Sequence, residues 1–365
     1  MSRTALGIDL PQIGPCKFGD GIKGSVYIGA AGFEDRCFAW LAGAARLGLC
    51  PAGVIGIEYR PRYEKNRPAD FSTYLSEMHV PAEAQRWLVY DRFAPNEFAG
   101  AINAALARSR AEHIILDVSG MSKLLIVIVL RALDCFVGSV DIVYAEAGTY
   151  FPTQAEVDLD ATPGSIGTFL TKDVHRIVTT GRLTSIGMQG YPLVVVAFAT
   201  FNFKELDALV NELGPQWAVI IDGAPHSPED AWRLEAVKAI NRKLESAERS
   251  IRFTLSTFAY EDTIGLLEEL YQMYSDSHRI MIAPTGSKLQ ATGVGFFHYM
   301  RPDVQIVYPV TSGFASEYTE GCKAIWAISV PEWRDFVGTL SSFRKRPLRH
   351  LHEEIVARSR RSPTV

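Results

Sequence analysis

Several large functional classes are excluded by what this sequence lacks. Its 365 residues hold only five cysteines, Cys16, Cys37, Cys50, Cys135 and Cys322, which are widely spaced, odd in number and without a C-x-x-C pair. That pattern argues against a disulfide framework or a thiolate zinc site and leaves buried free thiols as the expectation. Long apolar runs are also missing. Runs such as Leu124 to Leu130 are far too short to cross a bilayer, and the opening MSRTALGIDL has no basic segment followed by an apolar one. A cytoplasmic protein without membrane contact is expected. There is no excess of positive charge, since 37 Lys and Arg against 41 Asp and Glu give a net charge of −4. No overall field would hold nucleic acid by its backbone, so nucleic acid is not expected as the main ligand. The eight histidines form no H-E-x-x-H, and neither a metal nor a cofactor is implied.

What is present is an ordinary globular balance, 47% apolar and 21% charged, in a chain long enough for two domains. Short β-rich runs alternate with amphipathic stretches, the pattern of a parallel sheet covered by helices. Strands are expected at Ser25–Ala30, Val54–Tyr59, Trp87–Tyr90, His113–Val118 and Val140–Ala145, with helices starting near Glu34, Pro68, Pro95 and Ser122. The plan then repeats: strands at Leu193–Phe198, Ala218–Asp222, Arg252–Thr257, Arg279–Ala283 and Val304–Pro309, and helices from Phe203, Pro228, Tyr260 and Ser287.

Laid side by side, the two runs of elements show a duplication. The fourth strand and its turn read IILDVSGMSKLL from Ile114 and IMIAPTGSKLQ from Ile280, and the fifth strands read DIVY from Asp141 and QIVY from Gln305. The expected fold is therefore α/β, with two Rossmann-like parallel-sheet halves related by internal duplication and a pseudo-twofold axis. Boundaries are placed at 1–157 for the first half, 158–190 for a linker, 191–335 for the second half and 336–365 for a basic C-terminal helix or tail.

Ligands of open parallel sheets sit beyond the carboxyl ends of the strands, which gives weight to the residues just after each run. In the first half these form a charged rim. Glu34 and Asp117 are the candidate catalytic carboxylates, as base or ribose anchor, and Arg36, Arg60 and Glu146 join them as candidate ligand contacts. Glu58, Tyr59 and Arg60 place an aromatic ring beside a guanidinium, which suits base stacking and phosphate pairing. The strongest local signal is the turn Ser119-Gly120-Met121-Ser122-Lys123 and its counterpart Thr285-Gly286-Ser287-Lys288. Each follows a buried strand and opens a helix, so backbone amides, a hydroxyl and a lysine can converge on one phosphate. The bland reading is a serine that caps a helix beside a glycine that permits a tight turn. Gly19 to Gly24 spells G-x-G-x-x-G but precedes the first strand, so it reads as a turn, and neither Ser-Lys loop is a Walker A sequence. The tail from Arg344 to Arg361 is basic and reads as a solvated helix with a frayed end.

Two fused Rossmann-like halves, each with a small-Gly-Ser-Lys turn after its fourth strand, resemble the CARF domains of CRISPR-associated proteins and the SAVED domains of bacterial anti-phage systems. The resemblance covers nearly the whole chain in architecture and rests in sequence on Ser119 to Lys123, with Met121 inserted, and Thr285 to Lys288. It implies sensing of a cyclic oligonucleotide or nucleotide in the groove between the halves, with either an effector supplied by a partner protein or a stand-alone enzyme that degrades the ligand. The rim residues leave two other classes open: an enzyme acting on a mononucleotide or sugar phosphate in the first half, and a scaffold subunit of a defence complex.

Overall fold

The computed structural model describes residues 7–159, 173–242, 249–313 and 318–343, and the chain divides into two compact units. The first comprises Asp9–Phe151 and Glu317–Thr339, and the second is built on the described residues between Pro152 and Ser316. In the first unit β1 (Ile13–Pro15), β2 (Ser25–Ala30), β3 (Gly53–Arg60), β4 (Gln85–Asp91), β5 (His113–Asp117), β6 (Ser139–Glu146) and β7 (Thr149–Tyr150) alternate with helices. The helices are α1 (Ala39–Arg46), α2 (Pro68–Glu77), α3 (Phe98–Ser109) and α4 (Lys123–Ala132). After α5 (Gln154–Leu159), the second unit contributes β8 (Val174–Val178), β9 (Leu193–Phe198), β10 (Trp217–Ala224), β11 (Ser250–Ser256), β12 (Arg279–Ala283), β13 (Gln305–Ile306) and β14 (Tyr308–Thr311). Its other helices are α6 (Phe203–Leu213), α7 (Trp232–Ile240), α8 (Tyr260–Tyr274) and α9 (Lys288–Met300). The chain then returns to the first unit through β15 (Thr319–Glu320) and β16 (Ala324–Val330), followed by α10 (Trp333–Ser341).

The fold is α/β. The first sheet runs β1-β16-β6-β5-β2-β3-β4 and the second β11-β10-β9-β12-β13. Stripped of β1 and β16, the two have the same order, 3-2-1-4-5 in their own strand numbers, and every neighbouring pair in that core is parallel. Ile114 pairs with Val26 on the first strand of one sheet, and Ile280 pairs with Val194 on the first strand of the other, so the matched sequences occupy matched strands. This order reverses direction at the first strand. Right-handed crossovers therefore put α1 and α2 on one face and α3 and α4 on the other, and the switch point lies between β2 and β5.

The repeated motif also opens two helices that are buried all round. Every residue of α4 from Leu124 to Leu130 is buried, as is every residue of α9 from Leu289 to Met300, the expected state of a helix enclosed on all sides. On the other face of the first sheet, Tyr27 stacks on Trp40 at 4.8 Å and Phe71 meets Trp87 edge-on at 5.1 Å, an aromatic core that fixes α1 and α2.

Four expectations need correction. Residues 317–335 do not continue the second half: β16 lies antiparallel on β6 from Ala324↔Glu146 to Val330↔Val140 and adds an edge to the first sheet. Among the described residues no helix lies between the apolar run AIWAISV and the strands β13, β14 and β15 before it, so the alternation rule gave no reason to look for a strand there. The span 158–190 is not all linker, because β8 pairs antiparallel with β14. Val304–Pro309 is not one strand either, since Gln305 and Ile306 pair with β12 while Tyr308 pairs with β8, so the two matched tyrosines are not equivalent. Lastly, burial holds fully only for Cys37 among the thiols; Cys16 and Cys50 are half-buried, and Cys135 and Cys322 are exposed. The basic tail from Arg344 lies outside the described residues.

Candidate functional site

The carboxyl ends of β2, β5 and β6 and the turns that follow them bring the charged rim of the first unit together. Glu34 and Arg36 both lie in the turn after β2 and form an ion pair, Arg36 Nη2 to Glu34 Oε1 at 2.9 Å, with 7% and 4% of the residue surface exposed. Thr319, on the returning strand β15, donates to the same Glu34 oxygen at 2.8 Å. The Arg36 guanidinium donates through Nη1 to the Tyr144 hydroxyl at 3.3 Å, lies 5.5 Å from the ring centre of Tyr150, and keeps a buried Nε–H without a partner. Burial opposes its charge, yet Glu34 and the tyrosine hydroxyls outweigh burial and hold the guanidinium firmly protonated.

Asp117 closes β5 and is 1% exposed. Its two oxygens are spoken for: Tyr27 donates to Oδ2 at 2.9 Å and the Ser119 amide to Oδ1 at 2.8 Å. Burial and the neighbouring Asp117 push the Tyr27 hydroxyl well above its ordinary pKa, so it remains a donor. Glu146 accepts from the Trp326 indole N–H at 2.9 Å. The Tyr144 and Tyr150 hydroxyls, 2.8 Å apart, join Arg36 to the end of β6 where Glu146 lies, and the Cys37 thiol donates to the Ser119 carbonyl at 3.7 Å, joining the Glu34–Arg36 turn to the turn after Asp117. The candidate carboxylates thus converge, but each already serves a hydrogen bond that holds the turns in place.

The Ser-Lys turns are built alike in the two units. Ser119 is fully buried and its hydroxyl accepts from the Ala145 amide at 2.8 Å, while Thr285 in the equivalent place donates to the Phe198 carbonyl at 2.7 Å. A side chain on Gly120 would sit 2.2 Å from the Ala30 carbonyl oxygen, and one on Gly286 would sit 2.9 Å from Cβ of Phe198. Ala30 and Phe198 end the first strands of their sheets, so both glycines are required by the same close approach of the fourth strand's turn to the first strand. Ser122 caps α4 by accepting from the Leu125 amide at 3.3 Å, and Ser287 caps α9 by accepting from the Gln290 amide at 3.0 Å.

The amide of each capping serine is also satisfied, by different means. The Ser122 amide donates to the Tyr59 hydroxyl at 2.8 Å, and that hydroxyl donates in turn to the Gly120 carbonyl at 2.9 Å. In the second unit Gly223 stands where Tyr59 would be, and the Ser287 amide donates to Gln290 Oε1 at 2.9 Å, completing a capping box. Tyr59 is therefore a pillar between β3 and the turn. Hydroxyls and capping amides are internal in both turns, and Lys123 and Lys288, half-buried first residues of α4 and α9, are the groups these turns present at the switch point. Glu58 is half-buried near the end of β3 and Arg60 is exposed there.

Three half-buried rings border the first unit's site. Phe33, in the turn after β2, meets Tyr63 edge-on at 5.3 Å and Tyr318 at 6.1 Å. Sequence reasoning missed Tyr63, Tyr318, Thr319 and Trp326, and the last three reach the site only through the return of the chain into the first sheet. Among the described residues no cluster of three or more His, Cys, Asp or Glu could hold a metal ion, and no helix is long and apolar enough to cross a membrane.

No family model matches the chain, and no curated protein does. Among solved structures it is similar to a protein of Pseudomonas aeruginosa UCBPP-PA14 described as a universal stress protein, with 9% identity over 87% of this chain and 96% of that one and a TM-score of 0.24. It is also similar to the cytoplasmic domain of a prokaryotic cation chloride cotransporter, with 11% identity over 80% of this chain and 96% of that one and a TM-score of 0.22. At those TM-scores the likenesses carry no argument about function.

Proposed function

We propose that the protein is a sensor that binds a phosphorylated ligand of the nucleotide class, in the manner implied by its resemblance to CARF and SAVED proteins, with a cyclic oligonucleotide as the favoured ligand and bacterial defence as the setting. One observation carries the reading. The same lysine-led helix opens at the same switch point in two sheets whose parallel cores share one strand order, the place where open α/β sheets bind ligands. A lysine at the first turn adds its charge to the positive end of a helix, which suits a phosphate. Phe33, Tyr63 and Tyr318 supply aromatic surface for a base, and Arg60 an exposed cation. Sensing is favoured over turnover because Glu34, Asp117 and Glu146 are each committed to hydrogen bonds that hold the site's own turns.

An enzyme confined to the first unit is the second reading, supported by the buried Glu34–Arg36 pair and the unpartnered Arg36 Nε. Mass spectrometry of the protein after incubation with cyclic oligonucleotides and nucleoside phosphates separates the two. A retained, unmodified ligand supports the sensor. Conversion of the ligand by wild type, abolished in Glu34→Gln with binding kept, supports the enzyme, and no retention of any of them removes the nucleotide reading.

A further inference from the structure

The first sheet ends on one side in β1, three residues closing on a proline, which is a protected edge. Its other edge, β4, is seven residues long and pairs with β3 alone among the described residues. It carries two exposed large apolar side chains, Trp87 at 36% and Val89 at 49%. A long apolar edge strand is a template for another strand. We infer that β4 pairs with β4 of a second copy of this chain, antiparallel about a two-fold axis at Leu88, joining two first sheets into one.

The register follows from the backbone. The Arg92 amide donates to the Arg60 carbonyl at 2.8 Å, so with the two-residue period of a strand Arg86, Leu88 and Tyr90 direct their amides and carbonyls toward β3. Trp87, Val89 and Asp91 direct theirs outward, whereas the Gln85 amide and carbonyl are taken by the Ala82 carbonyl and the Arg86 guanidinium. A two-fold axis at Leu88 makes Leu88 face its own copy as a non-hydrogen-bonded pair, while Trp87 exchanges backbone hydrogen bonds with Val89 of the copy. That register sets both exposed apolar side chains against each other on one face. Shifting the axis to any neighbouring residue puts Trp87 or Val89 opposite Gln85 or Asp91. The edge is self-complementary in one register, which is why the occupant is a second copy and not an unrelated strand.

Sedimentation velocity of the full chain over a concentration series tests the inference. Wild type is expected to sediment as a dimer that dissociates on dilution. Val89→Pro removes an outward-facing amide without touching the pairing to β3, and Val89→Lys places a charge opposite Trp87; each should weaken dimerisation by at least about tenfold with unchanged circular dichroism. Under mild oxidation Leu88→Cys should give a reducible cross-linked dimer, because facing positions of a non-hydrogen-bonded pair lie within disulfide reach. Arg86→Cys, four residues out of register with its own copy, should cross-link no more than wild type. A monomeric wild type, a dimer indifferent to both Val89 variants, or equal cross-linking of the two cysteine variants would overturn the inference.

Discussion

Replacing Arg36 by Met keeps the apolar stem and removes the cation from a pair that is almost entirely out of water. Glu34 is then left as a buried carboxylate whose remaining partner among its described hydrogen bonds is the Thr319 hydroxyl. Breaking one side of such a pair costs about 3–5 kcal/mol, because the surviving charge is uncompensated. For a unit of this size each kcal/mol corresponds to about 2–4 °C, so the melting transition of the first unit should fall by roughly 6–20 °C. The penalty must shrink in acid. Without its cation Glu34 has a folded pKa raised above the unfolded value, so the destabilisation is full above the raised value and fades as pH falls through it and the group takes up a proton. Adding Glu34→Gln removes the stranded charge and should recover most of the loss at neutral pH. Calorimetric scans of wild type, the single and the double variant at pH 7 and pH 5 read all three effects. A single variant within about 1 kcal/mol of wild type, or a double variant no more stable than the single, refutes the claim that the pair is buried and coupled.

Two further perturbations address the scaffold. Tyr59→Phe strips the Ser122 amide and the Gly120 carbonyl of one shared partner and should cost about 1–3 kcal/mol in urea unfolding; a neutral result would mean that Tyr59 is no pillar. At the amino ends of β5 and β6, His113 and Asp141 meet at 3.0 Å. The hydrogen bond to Asp141 raises the His113 pKa against burial, so the stability this contributes is present below about 6.5 and is lost as pH rises through the raised value. For Asp141, burial pushes upward, but the hydrogen bonds from His113 and Ser329 prevail and lower its pKa, so its share is present above about 3.8 and is lost as pH falls through the lowered value. The pair therefore helps most between those two pH values, and His113→Gln should flatten the decline of melting temperature on the alkaline side. An unchanged pH slope in the variant would contradict it.

Most of the parallel core was legible because buried parallel strands are short apolar runs and each crossover helix announces itself by periodicity or a proline at its start. The alignment of Ile114 with Ile280 held for the same reason, since strand, glycine turn and capped helix are all local. What was not legible depended on distant chain. Ala324–Val330 was not read as a strand, and nothing nearby says that it joins β6; with it Thr319, Tyr318 and Trp326 enter the site. The site chemistry was harder still. Residue types correctly marked where the strand ends converge, yet the sequence could not show that Asp117 is held by Tyr27, or that Tyr59 and Gln290 do the same work in two units. A carboxylate after a strand looks the same whether it awaits a ligand or anchors a turn.

The central claim, a phosphate held at each lysine-led turn, is tested most directly by titrating a cyclic oligonucleotide into wild type, Lys123→Ala and Lys288→Ala in a calorimeter. A charge-assisted contact worth about 1.5–3 kcal/mol predicts that each substitution weakens binding on the order of ten- to a hundredfold while the melting temperature is kept. Binding that is unaffected by both substitutions would contradict the account.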